Sequence, residues 1–404
     1  MNSRFSKASR LCAVLGMCGL LLLAGCAEAP KAGASKPLEK PAYPPPPEIA
    51  RILWERTIYG SADVVAEDKD SALRRMVTGE VRTGQGLDKP YGVAARNGKI
   101  YVGDTVARNI VVFDLNAKKF SRIGIDDPGA LRMPFGLDLD AAGNLYVVDG
   151  TLKRVHVYDG SGKFLRMMGQ DLKWSRPVGM AIDNERKRLY VVDAGGVDKP
   201  DHRVQALDLE TGKLLFEIGK RGDGPGEFNL PRDAVVGKDG LLYVVDGGNF
   251  RVQVFDKDGK YLKTFGAIGR QSGQFSRPKE IAADDKGNLY VVDTAFGNFQ
   301  IFDPDGRLLL DVGARGASDG PARFMLPSGI AVDIDGRIYM VDQYFRKVEV
   351  FRPAELAATA RYGDQPAAST AAASASATPA APATPAAPAA AAAQRAASTP
   401  AAAR

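Results

Sequence analysis

The sequence predicts an all-β fold, a six-bladed β-propeller of four-stranded antiparallel blades closed by an N-terminal strand. Three observations predict it: an apolar string ending in Asp that recurs six times, intervals of 44 to 53 residues between its copies, and four short β-rich segments in most copies. A chain of 404 residues exceeds one ordinary compact domain, so internal repetition is the first thing to seek. A period of about 40 to 50 residues with four strands per copy is that of a propeller blade.

The strings read YVGD, YVVD, YVVD, YVVD, YVVD and YMVD, ending at Asp104, Asp149, Asp193, Asp246, Asp293 and Asp342. Each follows a segment opened by proline, at Pro90, Pro134, Pro177, Pro231, Pro278 and Pro327. Each precedes a third segment: NIVVFD, RVHVYD, RVQALD, RVQVFD, NFQIFD or KVEVFR. Five copies continue into a fourth, KFSRIG, FLRMMG, LLFEIG, YLKTFG and LLLDVG. Runs rich in Val, Ile, Tyr and Phe between Gly, Asp and Asn turns are antiparallel strands. The second strand is apolar at consecutive positions, as in Leu145 to Val148, which fits a sheet covered on both faces by neighbouring blades.

The sixth copy ends at Phe351-Arg352-Pro353 without a clear fourth strand, whereas Ile52 to Gly60 reads as an orphan one. That segment is expected to complete the last blade and remove an exposed edge; Ala354 to Gly363 is the competing candidate. Residues 62 to 86, helical near Ser71 to Val77, then cross to the first blade. Phe228, Phe275 and Phe324 recur before proline and read as plugs between blades. The D-x-D-G strings at Asp256, Asp303 and Asp333 read as hairpin turns, lacking the later ligands of a calcium loop. The recurrent pairs Asp149 with Arg154 and Asp246 with Arg251 read as ties across the loop between second and third strands.

The ends have a different character. Arg4, Lys7 and Arg10 precede an apolar run from Leu11 to Leu23, and Ala24 and Gly25 precede Cys26. That is an export signal, and Leu23-Ala24-Gly25-Cys26 is similar to the lipobox of bacterial lipoproteins. The resemblance implies diacylation of Cys26, a membrane anchor, and, with Ala27 next in the chain, sorting to the outer membrane of the cell envelope. The organisation expected is a signal peptide at 1–25, a Pro-rich tether at 26–49, the propeller at 50–353 and an Ala/Pro-rich disordered tail at 354–404. Cys12 and Cys18 fall in the signal, so the mature chain would hold no disulfide, thiol nucleophile or Cys-based metal site. The signal also supplies three of the six net positive charges. A near-neutral exported body is a poor nucleic-acid binder, so no nucleic-acid partner is expected.

The pattern P-x-G-[ILV]-A-x-D, then G-x-[LI]-Y-V-x-D, then R-V-x-V-F-D, resembles the NHL repeat family of propellers over roughly residues 50 to 353. The resemblance implies the fold and leaves function open, because such propellers serve as binding, sensor and enzyme modules. Amidating lyases of this fold use a zinc held by several histidines; this chain has two, His156 and His202. His156 occupies a third-strand position filled elsewhere by Val111, Gln205, Gln253, Gln300 and Glu349, and is expected to face outward. Relatives that hydrolyse lactones place acids around the central channel. Here Asp233 and Glu280 replace the Gly that follows proline in other blades, which makes them weak candidates for holding a divalent cation such as Ca²⁺; alternatively they balance Arg232 and Lys279. No other cofactor is expected. One rim collects His202, Phe250, Phe296, Tyr344, Phe345, Arg346 and Lys347, and aromatic and Arg side chains are those enriched in interface hot spots. The function expected is a lipid-anchored, non-catalytic propeller presenting this rim to a protein, peptide or envelope glycan; the alternative is a cation-dependent envelope hydrolase or lactonase.

Overall fold

The computed structural model describes residues 40–80 and 83–364; the signal, Cys26 and residues 365–404 lie outside them. Six antiparallel sheets succeed one another along the chain. Blade one is built from Pro90–Arg96, Lys99–Asp104, Asn109–Asp114 and Lys119–Ile123. Blade two uses Pro134–Leu139, Leu145–Asp149, Arg154–Tyr158 and Phe164–Met168, and blade three Pro177–Asp183, Arg188–Asp193, Arg203–Asp208 and Leu214–Ile218. Blade four uses Ala234–Val236, Leu242–Asp246, Arg251–Phe255 and Tyr261–Phe265; blade five uses Pro278–Ala283, Leu289–Asp293, Asn298–Phe302 and Leu308–Val312. Each is a simple meander, since its neighbours in space are its neighbours in sequence.

Blade six takes three strands from the end of the propeller, Pro327–Val332, Ile338–Asp342 and Lys347–Pro353, and its fourth from the beginning, Ile52–Ile58. The closing strand runs antiparallel to its partner with Ile58 opposite Val348 and Ile52 opposite Pro353, and Ala42–Tyr43 adds a short fifth strand outside it. Closure therefore falls to the N-terminal segment. Ala354 to Gly363 is not a strand: it folds into turns, with Leu356 buried and the Tyr362 ring 4.2 Å from the Arg337 guanidinium. Helix α1 (Lys69–Thr78) starts where Asp68 accepts a hydrogen bond from the Ser71 amide and stops at Gly79, whose φ of 72° ends the helical run.

Apolar residues cluster between blades, as expected for strands covered on both faces. Ile58, Val348 and Val350 of blade six pack with Val93, Val102 and Val111 of blade one. The plugs behave as read: Phe228, Phe275 and Phe324 are fully buried.

The string-ending Asp residues are also fully buried, but they tie loops through backbone amides. Asp149 Oδ1 accepts from Thr151 and Leu152, and Oδ2 from Arg132 and Met133. Asp104, Asp293 and Asp342 repeat this four-amide pattern. Each carboxylate thus fixes the loop after its own strand to the loop that enters the blade. Arg154 bonds the Lys153 carbonyl, not Asp149, whereas Arg251 does pair with Asp246 at 2.9 Å. The Asp–Arg tie is an occasional addition to the amide staple.

Candidate functional site

The stapled loops form one rim, and the sequence-predicted rim residues divide there by burial. Tyr344 is 61% exposed, packed edge-on to half-buried Phe345 at 5.2 Å between ring centres, and Arg346 is exposed with a left-handed φ of 54°. Phe250 and Phe296 are half-buried. His202 and Lys347 are fully buried and are withdrawn from the contact surface. His202 closes the long loop of blade three: Nδ1 accepts from the Leu230 amide at 3.2 Å, and Nε2 donates to the Gly196 carbonyl at 2.9 Å. Lys347 Nζ meets Glu349 Oε1 at 2.6 Å, Asp319 Oδ1 at 2.8 Å and the Gly320 carbonyl at 2.8 Å. A buried ammonium is tolerated only with such partners.

His156 does not face outward. It is fully buried, both ring nitrogens lack partners, and burial pushes its pKa down against the opposing charge of Asp149.

Inside the ring, the first strands converge on a channel. Gly92, Gly136, Gly179 and Gly329 hold the level below the entering prolines in their own blades, where a Cβ would collide with neighbouring atoms. A Cβ on Gly329 would lie 2.5 Å from the Tyr91 carbonyl oxygen, and one on Gly136 2.8 Å from the Gly179 Cα. Blades four and five carry Asp233 and Glu280 at this level, and these project into a cavity of about 240 Å³ with Asp138 and Asp333 on its wall.

These acids bind blades together. Asp233 accepts from the Met180 amide of blade three at 3.3 Å and the Ile281 amide of blade five at 3.2 Å. Asp138 accepts from Ile182 in blade three at 2.8 Å, and Asp333 from Asn97 and Gly98 in blade one at 2.8 and 2.7 Å. Burial pushes the Asp233 carboxyl up to about 8, with backbone amides opposing the rise and Asp138 adding to it. Glu280 is also pushed well up, first by burial and then by Asp233, and its Oε1 meets no partner. The two candidates do come together on one cavity wall, and burial favours the protonated form of each. Neither is ion-paired with Arg232 or Lys279 among the described residues. No group of three or more His, Cys, Asp or Glu is placed there to hold a metal ion. Asp138 was missed as a site residue, although its place two positions beyond the channel glycine, in FGLD, was the available signal.

Above Asp233 and Glu280 the loop-side mouth is filled by Tyr91, Phe135, Arg232 and Lys279, each the residue after its proline. Tyr91 and Phe135 pack with ring centres 4.7 Å apart, and Lys279 Nζ lies 4.1 Å from the centre of the Tyr91 ring.

The fold is that of a six-bladed β-propeller. The NHL repeat itself matches residues 228–255, from the Phe228 plug through the Asp246 staple to the end of the third strand. The chain is similar to mouse NHL repeat-containing protein 3, with 30% identity over 114 residues, 26% of this chain and 31% of that protein. It is also similar to a probable peptidyl-alpha-hydroxyglycine alpha-amidating lyase of Caenorhabditis elegans, 33% identical over 87 residues, 20% of this chain and 23% of that protein. The chain thus spans less than a third of the length of these curated relatives. Among solved structures, a protein of unknown function from Bacteroides thetaiotaomicron superimposes with a TM-score of 0.53 at 18% identity, over 75% of this chain and 76% of that one. That likeness is one of fold.

Proposed function

We propose that this chain is a membrane-anchored, non-catalytic propeller that presents its loop-rich rim to a protein, peptide or envelope-glycan partner. The observation that carries the reading is the Tyr344–Phe345–Arg346 turn. An exposed aromatic, its edge-packed neighbour and an exposed guanidinium stand on a loop whose amides Asp342 holds at 2.8 Å. A contact surface already held in shape loses little conformational entropy on binding, and aromatic and Arg anchors supply most interface energy. Cys26, outside the described residues, is the proposed lipid attachment, which would hold the disk at the outer membrane. Crosslinking capture on intact cells tests the rim: a partner held by the native chain should be lost from the Tyr344→Ala/Phe345→Ala/Arg346→Ala variant with its thermal transition unchanged. Equal capture by both would remove the rim from the mechanism.

The second reading, a divalent-cation-dependent envelope hydrolase or lactonase, draws on the meeting of Asp233 and Glu280 in the channel cavity. Their preference for the protonated form, and the commitment of Asp233 to two amides, weigh against it. Calcium retained through desalting by the native chain and lost from Asp233→Asn/Glu280→Gln would favour it.

A further inference from the structure

We infer that the loop-side mouth of the channel is a binding site for a doubly charged oxyanion of the phosphate-monoester type, held by Arg176, Arg232, Arg277 and Lys279. The site lies beyond the Tyr344 turn and does not depend on that turn being a contact.

The four cations are gathered by the prolines that open three successive blades. Arg176 precedes Pro177, Arg232 follows Pro231, and Arg277 and Lys279 flank Pro278. They therefore stand at the channel ends of three successive blades. Close approach of the strands enforces this convergence: a Cβ on Gly179 of blade three would lie 2.5 Å from the Arg232 carbonyl oxygen of blade four. Lys279 reaches the Tyr91 ring of blade one. Arg277 is exposed and the other three are half-buried, so the cluster opens to solvent.

None of these side chains touches a counter-charge. Among the described residues they form no ion pair and no side-chain hydrogen bond, and Arg176 Nε and Nη2 are shielded from solvent without an acceptor. The cations instead feel one another. Burial pulls Arg232 below the ordinary guanidinium range, and Arg176 and Arg277 pull it further. Burial brings the Lys279 ammonium down to about 7, with Arg232 and Arg277 adding to the fall and Glu280 and Asp342 opposing it. Asp233 and Glu280 below them contact none of the four, and burial pushes both carboxyls toward their protonated forms.

Like charges gathered and partly desolvated without compensation cost stability. An external anion would relieve that cost, and guanidinium forks are the groups that pair bidentately with oxyanions. One carboxylate would neutralise one of the three guanidinium charges and serve few of the forks. A tetrahedral dianion presents oxygens to several guanidinium groups at once and matches the site in both charge and shape. A free phosphate, a sugar phosphate and a phospholipid headgroup share this chemistry.

The test uses the full chain, purified without phosphate, in chloride buffer of fixed ionic strength. Inorganic phosphate, glucose 6-phosphate and vesicles containing phosphatidic acid are titrated by calorimetry, with glucose and phosphatidylcholine vesicles as controls. Binding of at least one phosphate probe is expected, weakened at least tenfold by Arg176→Gln and by Arg232→Gln; the tightest probe identifies the source. Without phosphate both variants should melt at or above the native temperature, because each removes repulsion and no partner. Phosphate binding by the Tyr344→Ala/Phe345→Ala/Arg346→Ala variant should be unchanged, which separates this site from the rim contact. Failure of all three probes to bind above their controls, or binding that survives both substitutions, would overturn the inference.

Discussion

Replacing Lys347 by Met should destabilise the propeller far more than replacing its neighbour Arg346, although the two are adjacent in a loop that the sequence presents as a single basic patch. Lys347 is fully buried and holds Glu349, itself fully buried, at 2.6 Å and Asp319 at 2.8 Å. Glu349 in turn accepts from Trp54 Nε1 and, at 3.2 Å, from Thr57 Oγ1, both on the closing strand. Removing the cation leaves a buried carboxylate without its counter-charge, which costs about 3 to 5 kcal/mol. With unfolding entropy near 2.1 cal/mol/K per residue over roughly 300 folded residues, that is a fall of about 5 to 8 °C in Tm. The sign of the pH dependence follows from Glu349. Burial already raises its pKa, with Lys347, Trp54 and Thr57 opposing the rise, and loss of Lys347 raises it further. A carboxyl whose folded pKa lies above its unfolded value stabilises most at low pH and loses that contribution as pH rises through the folded value. The deficit of Lys347→Met should therefore be larger at pH 8 than at pH 5, and Lys347→Met/Glu349→Leu should recover most of it. Thermal unfolding followed by near-UV circular dichroism at both pH values measures this, with Arg346→Met as control. A loss below 1 °C, or one equal at the two pH values, would refute the buried-pair argument.

Two further outcomes follow from the packing. Ile58→Ala removes a fully buried side chain at the seam where the closing strand meets blades six and one. It should cost about 2 to 5 kcal/mol and expose the 42–58 segment to proteolysis before the rest of the ring; a melting temperature within 1 °C of native would mean that this strand does not fasten the propeller. His156→Phe should stabilise, because it removes two buried nitrogens that meet no partner. The folded pKa of His156 lies below its unfolded value, so its native contribution is lost as pH falls below about 6.5. The advantage of the variant should widen from pH 7.5 to pH 5, and an advantage equal at both would count against the buried neutral imidazole.

The ring was legible because six copies face the same burial problem and solve it with the same residues. The doubly covered second strand, the Phe plugs and the orphan strand Ile52–Ile58 each left a pattern that spacing alone could find. Polar positions inside the ring were not legible. The third-strand position shared by His156, Gln205, Gln253, Gln300 and Glu349 reads as solvent-facing by composition, yet all five are buried. Gln253 and Gln300 use it to accept from the Gly226 and Gly273 amides at 2.9 and 2.7 Å, clamping the loop that enters the same blade, and Gln205 accepts from Trp174 there. A buried polar group with its hydrogen bonds met and a solvated one have the same letter in a sequence. Lys347 and His202 misled for this reason, and their partners Asp319 and Leu230 come from loops that only folding brings near.

The same consideration separates the two groups of cations around the loop-bearing rim. Lys347 has a complete set of acceptors, so its charge serves the ring and is spent there. Arg176, Arg232, Arg277 and Lys279 stand at the channel mouth with none, above two acids that burial holds toward the neutral form. Structural need explains the first arrangement completely: remove the lysine and a buried carboxylate is stranded. It offers nothing for the arginines of the second, since replacing Arg176 or Arg232 with a neutral side chain of similar shape would lessen repulsion and break no bond, whereas Lys279 also packs on the Tyr91 ring. Asp233 sharpens the contrast. As the place of a channel glycine taken by an acid, it looks functional from sequence, yet both its oxygens are given to backbone amides that join three blades. The charge with no structural employment lies one layer above it, on the channel-mouth arginines, of which a sequence reading treats only Arg232 as its balance.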